Sequence, residues 1–535
     1  MPTTHEYDVV IIGGGMAGVS AAYHLILNRK ASPMTICLLE ARNRLGGRIH
    51  AMELSSKTVE LGANWIHGII GNPICEIALK HKLVDPLGSE SNPSVEAVQG
   101  KRYFVCGINE EGQKIPLSII EDTYNTYFWF MKQAEAYFST SEKEGKDPPV
   151  SFANSVGKYL IKEIEKHLLS KDPGDYIAIR RGVFKTLLYR EACISGSHSI
   201  EDVSLKDFGS YEELPGGNLT VEGGYISIIN LLLDEIDSKV SKSSSNPSSS
   251  GLISFESRLN HEVTKVEWKK NKQGKTVEIT CSNRNVIKCN HVIVSLPLGV
   301  LKEDAETIFL PSLPEYKTQS IKALGFSVVD KIFLEFKNKL APKLLDSSVN
   351  EFLLIWTDDE DADEDYRGGR ITNNNEEKRV SIRVKENSPK RWWRTIYSFT
   401  RISEYALMGW LSGQEAELVE TMDPVHVGKT LTEEVFRKFF HPEFPEPESV
   451  YVTKWKQDKY SRGSYTFISR EATSKDIEHL CQPIYSDPGQ EKPVMMFAGE
   501  SCHPNFFSTV HGAFLSGKKA SSYLLDPDAT TMSKL

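Results

Sequence analysis

Apolar residues fall in short runs along this chain, and their spacing predicts strands alternating with helices. Tyr7-Asp8-Val9-Val10-Ile11-Ile12 has the length and β-branching of a strand buried on both faces, as in a parallel sheet. Gly13-Gly14-Gly15-Met16-Ala17-Gly18 follows and opens a helical run to Leu27; a second apolar strand, Thr35 to Leu39, ends on Glu40. Ile120 to Phe138 shows helical periodicity and leads to a charged loop at Ser141 to Pro149. Ile226 to Leu233 reads as an apolar helix, followed by a flexible Ser-rich surface loop from Ser238 to Gly251. His291 to Leu296 reads as a strand ending in a Pro-Leu-Gly-Val-Leu turn, and Val329 to Phe336 alternates as another. Asp358 to Asp365, with Arg367 to Lys378 after it, reads as a solvated or disordered insertion.

The stretch from Tyr7 to Glu40 carries chemistry. Gly13 permits a tight turn, Gly15 lets backbone N–H groups approach a pyrophosphate, and Gly18 lets helix and strand pack closely. The helix N-terminus adds partial positive charge for the phosphates. Glu40 lies about twenty residues beyond the last glycine, where an acid binds a ribose hydroxyl. These features mark a dinucleotide site and leave NAD and FAD open.

Length and composition set bounds. At 535 residues the chain is long enough for two or more domains with sizeable cores. A net charge of −9 argues against general nucleic-acid affinity and is compatible with a cationic substrate. The eight cysteines are scattered, with no C-x-x-C pair and no metal spacing, so neither a disulfide framework nor a metal site is expected. Val9 to Leu25 could pass for a signal peptide or membrane span, but Asp8 precedes it and three glycines interrupt it. No other run approaches the length of a transmembrane helix, so no membrane span is expected. Ser533-Lys534-Leu535 reads as a peroxisomal address for the import receptor.

Glu40-Ala41-Arg42-Asn43-Arg44-Leu45-Gly46-Gly47-Arg48 resembles the E-A-x-x-R-x-G-G-R signature of the flavin-containing amine oxidase superfamily. The resemblance selects FAD and implies an α/β fold: a Rossmann-type FAD-binding domain (GR2-like flavoprotein) with an inserted α+β substrate-binding domain. The expected division is 1–80, 207–312 and 455–535 for FAD, and 81–206 with 313–454 for substrate. Cofactor contacts are implied for Gly13, Gly15, Ala17, Gly18, Glu40, Ala41, Arg42 and Arg48. Val59 to Gly68 resembles the second flavin-contacting segment, with Gly62, Ala63, Asn64 and Trp65 at the ring and His67 facing substrate. Val263 corresponds to the residue whose backbone contacts the adenine, and Trp455 to one near the pyrimidine end. Met496-Phe497-Ala498-Gly499-Glu500 matches F-A-G-E, whose Gly499 and Glu500 meet the FAD chain; Ser508 opens the last helix.

Further matches resemble the polyamine oxidases, in the spermine oxidase and acetylpolyamine oxidase branch. Glu191 would meet a substrate amine, Tyr465 would wall the substrate channel, and Trp65 would add a second aromatic surface. Lys331 corresponds to the lysine that holds a water against flavin N5, which with His67 completes the catalytic pair the family implies. Thr509 stands where monoamine oxidases carry a cage tyrosine, and would offer a hydroxyl to substrate and contact FAD. Ser464 stands where they carry the cysteine bonded to flavin, so FAD is expected to be non-covalent. Asp330 before Lys331 resembles spermine oxidases, whereas Ile194-Ser195-Gly196 and the terminus resemble acetylpolyamine oxidases. The expected activity is oxidation of a polyamine secondary amine with O2 as acceptor. Alternatives are a monoamine or methyl-lysine oxidase, and a catalytically silent flavoprotein binding module.

Overall fold

The computed structural model describes residues 4–29, 33–84, 104–172, 176–244, 253–268, 277–358, 382, 389–487 and 489–525. Thr4–Ile12 is the central strand of the larger sheet, parallel to Val286–Val294 on one side and to Met34–Leu39 on the other. Val9, Val10 and Ile11 are each fully buried, because helices cover both faces. The order runs Phe309–Leu310, Val263–Glu267, Val277–Cys281, Val286–Val294, Thr4–Ile12, Met34–Leu39, Ile253–Arg258; Met495–Phe497 adds in parallel beside the end of Val286–Val294. One face packs on helices Met16–Leu27, Ile226–Ser244 and Val510–Ser522, the other on Leu298–Ile308, Glu315–Ala323 and Ser474–Cys481. Strands from the beginning, middle and end of the chain therefore meet in one sheet.

A second, largely antiparallel sheet is ordered Ser449–Val452, Val329–Glu335, Ala406–Ser412, Ser398–Ser403, Glu351–Ile355, Val105–Asn109. Helices Leu117–Glu144, Val156–Leu169 and Ile177–Ser195 share a core with its Glu351–Ile355 end. Two short ladders join loops that line the site: Ile66–His67 with Asn218–Leu219, and Gly325–Ser327 with Tyr465–Phe467.

Several expectations change. The helix from Leu117 continues through the charged residues to Glu144, so the loop begins only at Gly145, a left-handed C-cap. The helix expected to end at Leu233 runs to Ser244, taking up the first part of the Ser-rich stretch; residues 245–252 lie outside the described residues. Pro297-Leu298-Gly299-Val300-Leu301 is a helix start, with Pro297 as N-cap, rather than a turn. Val329–Glu335 does not alternate: its first six residues are all buried, because it lies between two other strands with both faces covered. Asp358 is no free solvated acid, since it pairs with Arg394, with Nη1 at 3.1 Å. The rest of the acidic insertion and the Ser-Lys-Leu tripeptide lie outside the described residues.

Candidate active site

A connected cavity of ≈ 2090 Å³ runs from the first glycine turn to the helices beside the second sheet. That is larger than the few hundred to a thousand Å³ typical of a small-molecule pocket, and has room for a dinucleotide together with a substrate. Gly13, Gly15, Ala17, Glu40, Ala41, Arg42, Arg48 and Val263, the residues expected to meet a dinucleotide, line its glycine-turn end. Gly13 adopts φ +104°. Gly18 does not line the cavity; a Cβ there would stand 2.0 Å from the Gly13 carbonyl, so a bare α-carbon is what lets the helix seat on the turn.

Glu40 is buried and already engaged: Oε2 accepts from Gly14 N and Oε1 from Arg42 N, each at 2.8 Å. The arginines are braced as well. Arg42 pairs with Asp458 and donates to Ser461 Oγ at 3.0 Å; Arg48 donates to Glu500 Oε1 at 3.0 Å and to the Ser464 carbonyl at 2.5 Å. Glu500 in turn accepts from Thr466 Oγ1 at 3.1 Å and Ser508 N at 3.1 Å. These charged groups tie the glycine turn, the arginine loop and the last helix together before any ligand arrives. The Ser464 hydroxyl donates to the Val329 carbonyl and accepts from its N–H, both at 2.9 Å.

Beyond this end, Lys331 projects from Val329–Glu335 into a closed space and is 2 % exposed. Its Nζ donates to the carbonyls of Glu60 at 2.7 Å and Gly62 at 2.8 Å, with Asn64 Oδ1 at 3.5 Å and the Trp410 ring centroid at 4.5 Å. Burial pulls the ammonium down to about 7, and the nearby Glu60 opposes that shift. Burial also raises the Glu60 carboxyl, whose Oε1 accepts from Tyr225 N at 2.5 Å. Trp455 donates Nε1 to the Leu61 carbonyl at 3.2 Å, fixing its ring beside the same segment.

The remaining site residues face the same cavity: Trp65, His67, Glu191, Tyr465 and Thr509 all line it. Burial lowers the His67 imidazole, with Asn218 and Glu213 opposing. Glu191 sits near the end of helix Ile177–Ser195, where burial pushes its carboxyl up to about 7; Arg190 opposes this, while Glu213 and Glu135 add to it. It is therefore not an exposed helix acid. Tyr465 donates its hydroxyl to the Cys193 carbonyl, holding the ring upright. Thr509 corrects an expectation. It is the N-cap of Val510–Ser522, donating to the Phe506 carbonyl at 2.7 Å and accepting from Gly512 N at 3.0 Å, so its one proton is not available to a substrate. The helix begins at Val510, after Thr509, rather than at Ser508.

Sequence reasoning gave no role to Glu60, Trp410 and Glu213, although all three line the cavity. Glu60 stands inside the Val59 to Gly68 segment, two residues before Gly62, and an acid close to the Gly62-Ala63 pair was the available signal. The other two left none. Asp330 is 0 % exposed and off the cavity wall, so it does not touch a substrate; Ile194 and Ser195 do line the cavity.

Comparison with known proteins matches residues 16–525 to the flavin containing amine oxidoreductase family. The chain belongs to that family. Among the relatives of this flavin amine oxidoreductase, a human peroxisomal N(1)-acetyl-spermine/spermidine oxidase is 29% identical over 97% of this chain and 94% of its own. The Bos taurus protein of the same name is 27% identical over 97% and 96%. A probable polyamine oxidase 5 from Arabidopsis thaliana is 27% identical over 97% and 98%. The family's cofactor is FAD, and the residues present fit it: a glycine turn at a helix N-terminus, a cavity of dinucleotide size, and arginines already oriented along it. No helix among the described residues is long and apolar enough to cross a membrane.

Proposed function

We propose that this flavin amine oxidoreductase is a polyamine oxidase. It oxidises a secondary amine of spermine or of an N-acetylated polyamine, giving a shorter polyamine, an aminoaldehyde and H2O2. The observation that carries this reading is Glu191, a half-buried carboxyl that lines the same cavity as Lys331, with Glu213 and Glu135 near it. A monoamine has no second ammonium to satisfy such a cluster; a polyamine does. The division into 1–80, 207–312 and 455–535 for FAD and 81–206 with 313–454 for substrate belongs to this proposal, as does non-covalent binding with Ser464 in the cysteine position. So does residence in the peroxisome, supported by the names of the human and Bos taurus relatives.

FAD, held by Gly13, Gly15, Glu40, Arg42 and Arg48, would supply a hydride acceptor for the carbon beside the amine nitrogen and a route for the electrons to O2. The chain's task is to present that nitrogen neutral and dry. Trp65 and Tyr465 exclude water around it, which disfavours the ammonium form. His67, held neutral by burial, adds polarity without a positive charge that would repel the substrate. Lys331 places two donors on the carbonyls of Glu60 and Gly62 and keeps the third, loosely held near Asn64, to position water and assist reoxidation.

The test is H2O2 release from the purified yellow protein with spermine, N1-acetylspermine and benzylamine in parallel. Release with either polyamine supports the proposal. Turnover of benzylamine alone would replace it with a monoamine oxidase, and silence with all three would leave a binding module. Glu191→Gln is expected to raise KM for the active polyamine about tenfold, the loss of one charge-assisted contact. Glu191 gains its charge as pH rises through about 7, so wild-type KM should fall over that window beyond the substrate's own titration. The variant should lack that limb; an unchanged KM profile would remove Glu191 from substrate recognition.

A further inference from the structure

Behind Lys331, the carboxyl of the preceding residue on its strand meets a second carboxyl in an enclosed space. Asp330 and Glu420, the latter from helix Gly413–Thr421, are each 0 % exposed, and their side chains lie within hydrogen-bonding reach of each other. Glu420 spends both oxygens on backbone amides, Oε1 on Lys456 N at 2.7 Å and Oε2 on Gln457 N at 2.9 Å. Asp330 Oδ1 accepts from Thr453 Oγ1 at 2.6 Å and Trp455 N at 3.4 Å. Asp330 Oδ2 meets no donor among the described residues. Nor does any ammonium or guanidinium among them pair with either acid: Lys331 points to Glu60 and Gly62, and Lys456 lies 3.9 Å from Glu417. Tyr451, on the adjoining strand Ser449–Val452, is a further titratable group that senses Asp330.

Two ionised carboxylates in contact in such a space repel strongly, and the orphaned oxygen compounds the cost. One proton relieves both. We infer that Asp330 and Glu420 share a single proton, donated from Asp330 Oδ2 to Glu420, and that this acid pair clamps residues 453–457 to the site. Burial, reinforced by Glu420, raises the Asp330 carboxyl well above its ordinary range, the direction the shared proton requires. The clamp reaches the reaction centre at two points. Thr453, held by Asp330, accepts from Lys331 N at 2.8 Å and donates its own N–H to the Lys331 carbonyl at 3.0 Å. Trp455, whose N–H Asp330 holds, braces the Leu61 carbonyl beside Gly62. Asp330 and Glu420 are thus positioning residues, since neither lines the cavity.

The substitutions separate a shared proton from mere packing. Asparagine reproduces a protonated aspartate, one donor toward Glu420 and one acceptor for Thr453, so Asp330→Asn is expected to melt at the wild-type temperature at pH 6. Glu420→Gln sets an NH2 group against a backbone N–H and is expected to melt lower and bind FAD at least tenfold more weakly. The folded wild type holds a proton that the unfolded chain has released above its ordinary aspartate pKa. Its unfolding constant should therefore rise with pH, by up to tenfold per pH unit; Asp330→Asn should flatten that slope. The infrared difference between wild-type and Asp330→Asn holoenzyme at pH 7 should show a protonated carboxyl band of Asp330, the contributions of Glu60 and Glu191 being common to both proteins and cancelling. That band together with the flattened slope establishes the inference. A difference spectrum without the band, or an Asp330→Asn variant as damaged as Glu420→Gln, would overturn it. If Glu420→Gln fails to fold, the band and slope still decide. None of these measurements uses an amine, so they stand or fall apart from the polyamine proposal.

Discussion

Lys331→Met is expected to lower turnover by about a hundredfold or more while FAD stays bound, the scale of losing one preorganised donor at a reacting centre. The side chain sits in the wall of the cavity beside Gly62 and Asn64, on a different segment from the glycine turn and from Arg42 and Arg48. Methionine fills a similar volume without the donors. Rapid mixing should show which half of the cycle is slowed, and near-normal turnover in both halves would remove Lys331 from the mechanism. The same variant has a pH signature that does not depend on substrate. The lysine falls to about 7 in the folded protein from 10.5 when unfolded, so between those values the unfolded chain binds the extra proton. Stability contributed by this site should therefore rise with pH over that window, with the full penalty of burying the charge present below it. Lys331→Met removes the penalty, so its stability relative to wild type should be greatest at pH 7 or below and shrink towards pH 10. The carbonyls of Glu60 and Gly62 lose their donor at every pH, which shifts the level of the difference and leaves its slope. Glu60, raised by burial, contributes with the opposite slope, so the comparison is made on the difference between variant and wild type across pH 7 to 10. A flat difference across that range would show that the buried ammonium does not titrate as described.

How much was legible in the sequence follows from how local each signal is. The glycine turn and the strand after it lie within one βαβ unit, so spacing along the chain was enough to find the dinucleotide end. Lys331, Glu191 and Tyr465, which the structure brings to one cavity, were named only through resemblance, because each acquires its surroundings from partners far away: Glu60 stands 271 residues before Lys331. The pairing of Asp330 with Glu420 was invisible for the same reason, since nothing in either local stretch announces a buried acid. Helix ends failed differently. Ser-Glu-Lys-Glu before Gly145 looks like solvated loop by charge, yet lysine and glutamate are good helix formers and nothing breaks the helix until the glycine. Thr509 lines the cavity as expected, but a threonine before a helix can serve a ligand or the helix's own orphan N–H groups, and here its hydroxyl proton goes to the Phe506 carbonyl while its oxygen caps the helix.

Gly18→Ala should leave the protein colourless. The added Cβ would stand 2.0 Å from the Gly13 carbonyl and 3.0 Å from Ser295 Oγ, and neither neighbour can retreat freely. Ser295 Oγ already donates to the carbonyls of Ile12 at 2.8 Å and Gly13 at 3.0 Å, pinning the turn to the strand end. The helix Met16–Leu27 must therefore move, and the N–H groups at its start move with it. Overpacking of this kind costs about 1–3 kcal/mol, but the larger effect falls on the cofactor. Phosphate binding at a helix N-terminus depends on several N–H groups converging on the same oxygens, so displacing the whole turn weakens all of them together. FAD affinity should fall by about a hundredfold or more, measured by flavin titration of the apoprotein. Gly145→Ala is the matching control. Gly145 has φ +64° with nothing within 4 Å of its added Cβ, so the substitution costs about 1–2 kcal/mol of backbone strain at a helix end and leaves FAD bound. If both variants lose stability alike and both keep the flavin, the close approach at Gly18 would be a matter of packing alone and the turn would not be what holds the dinucleotide.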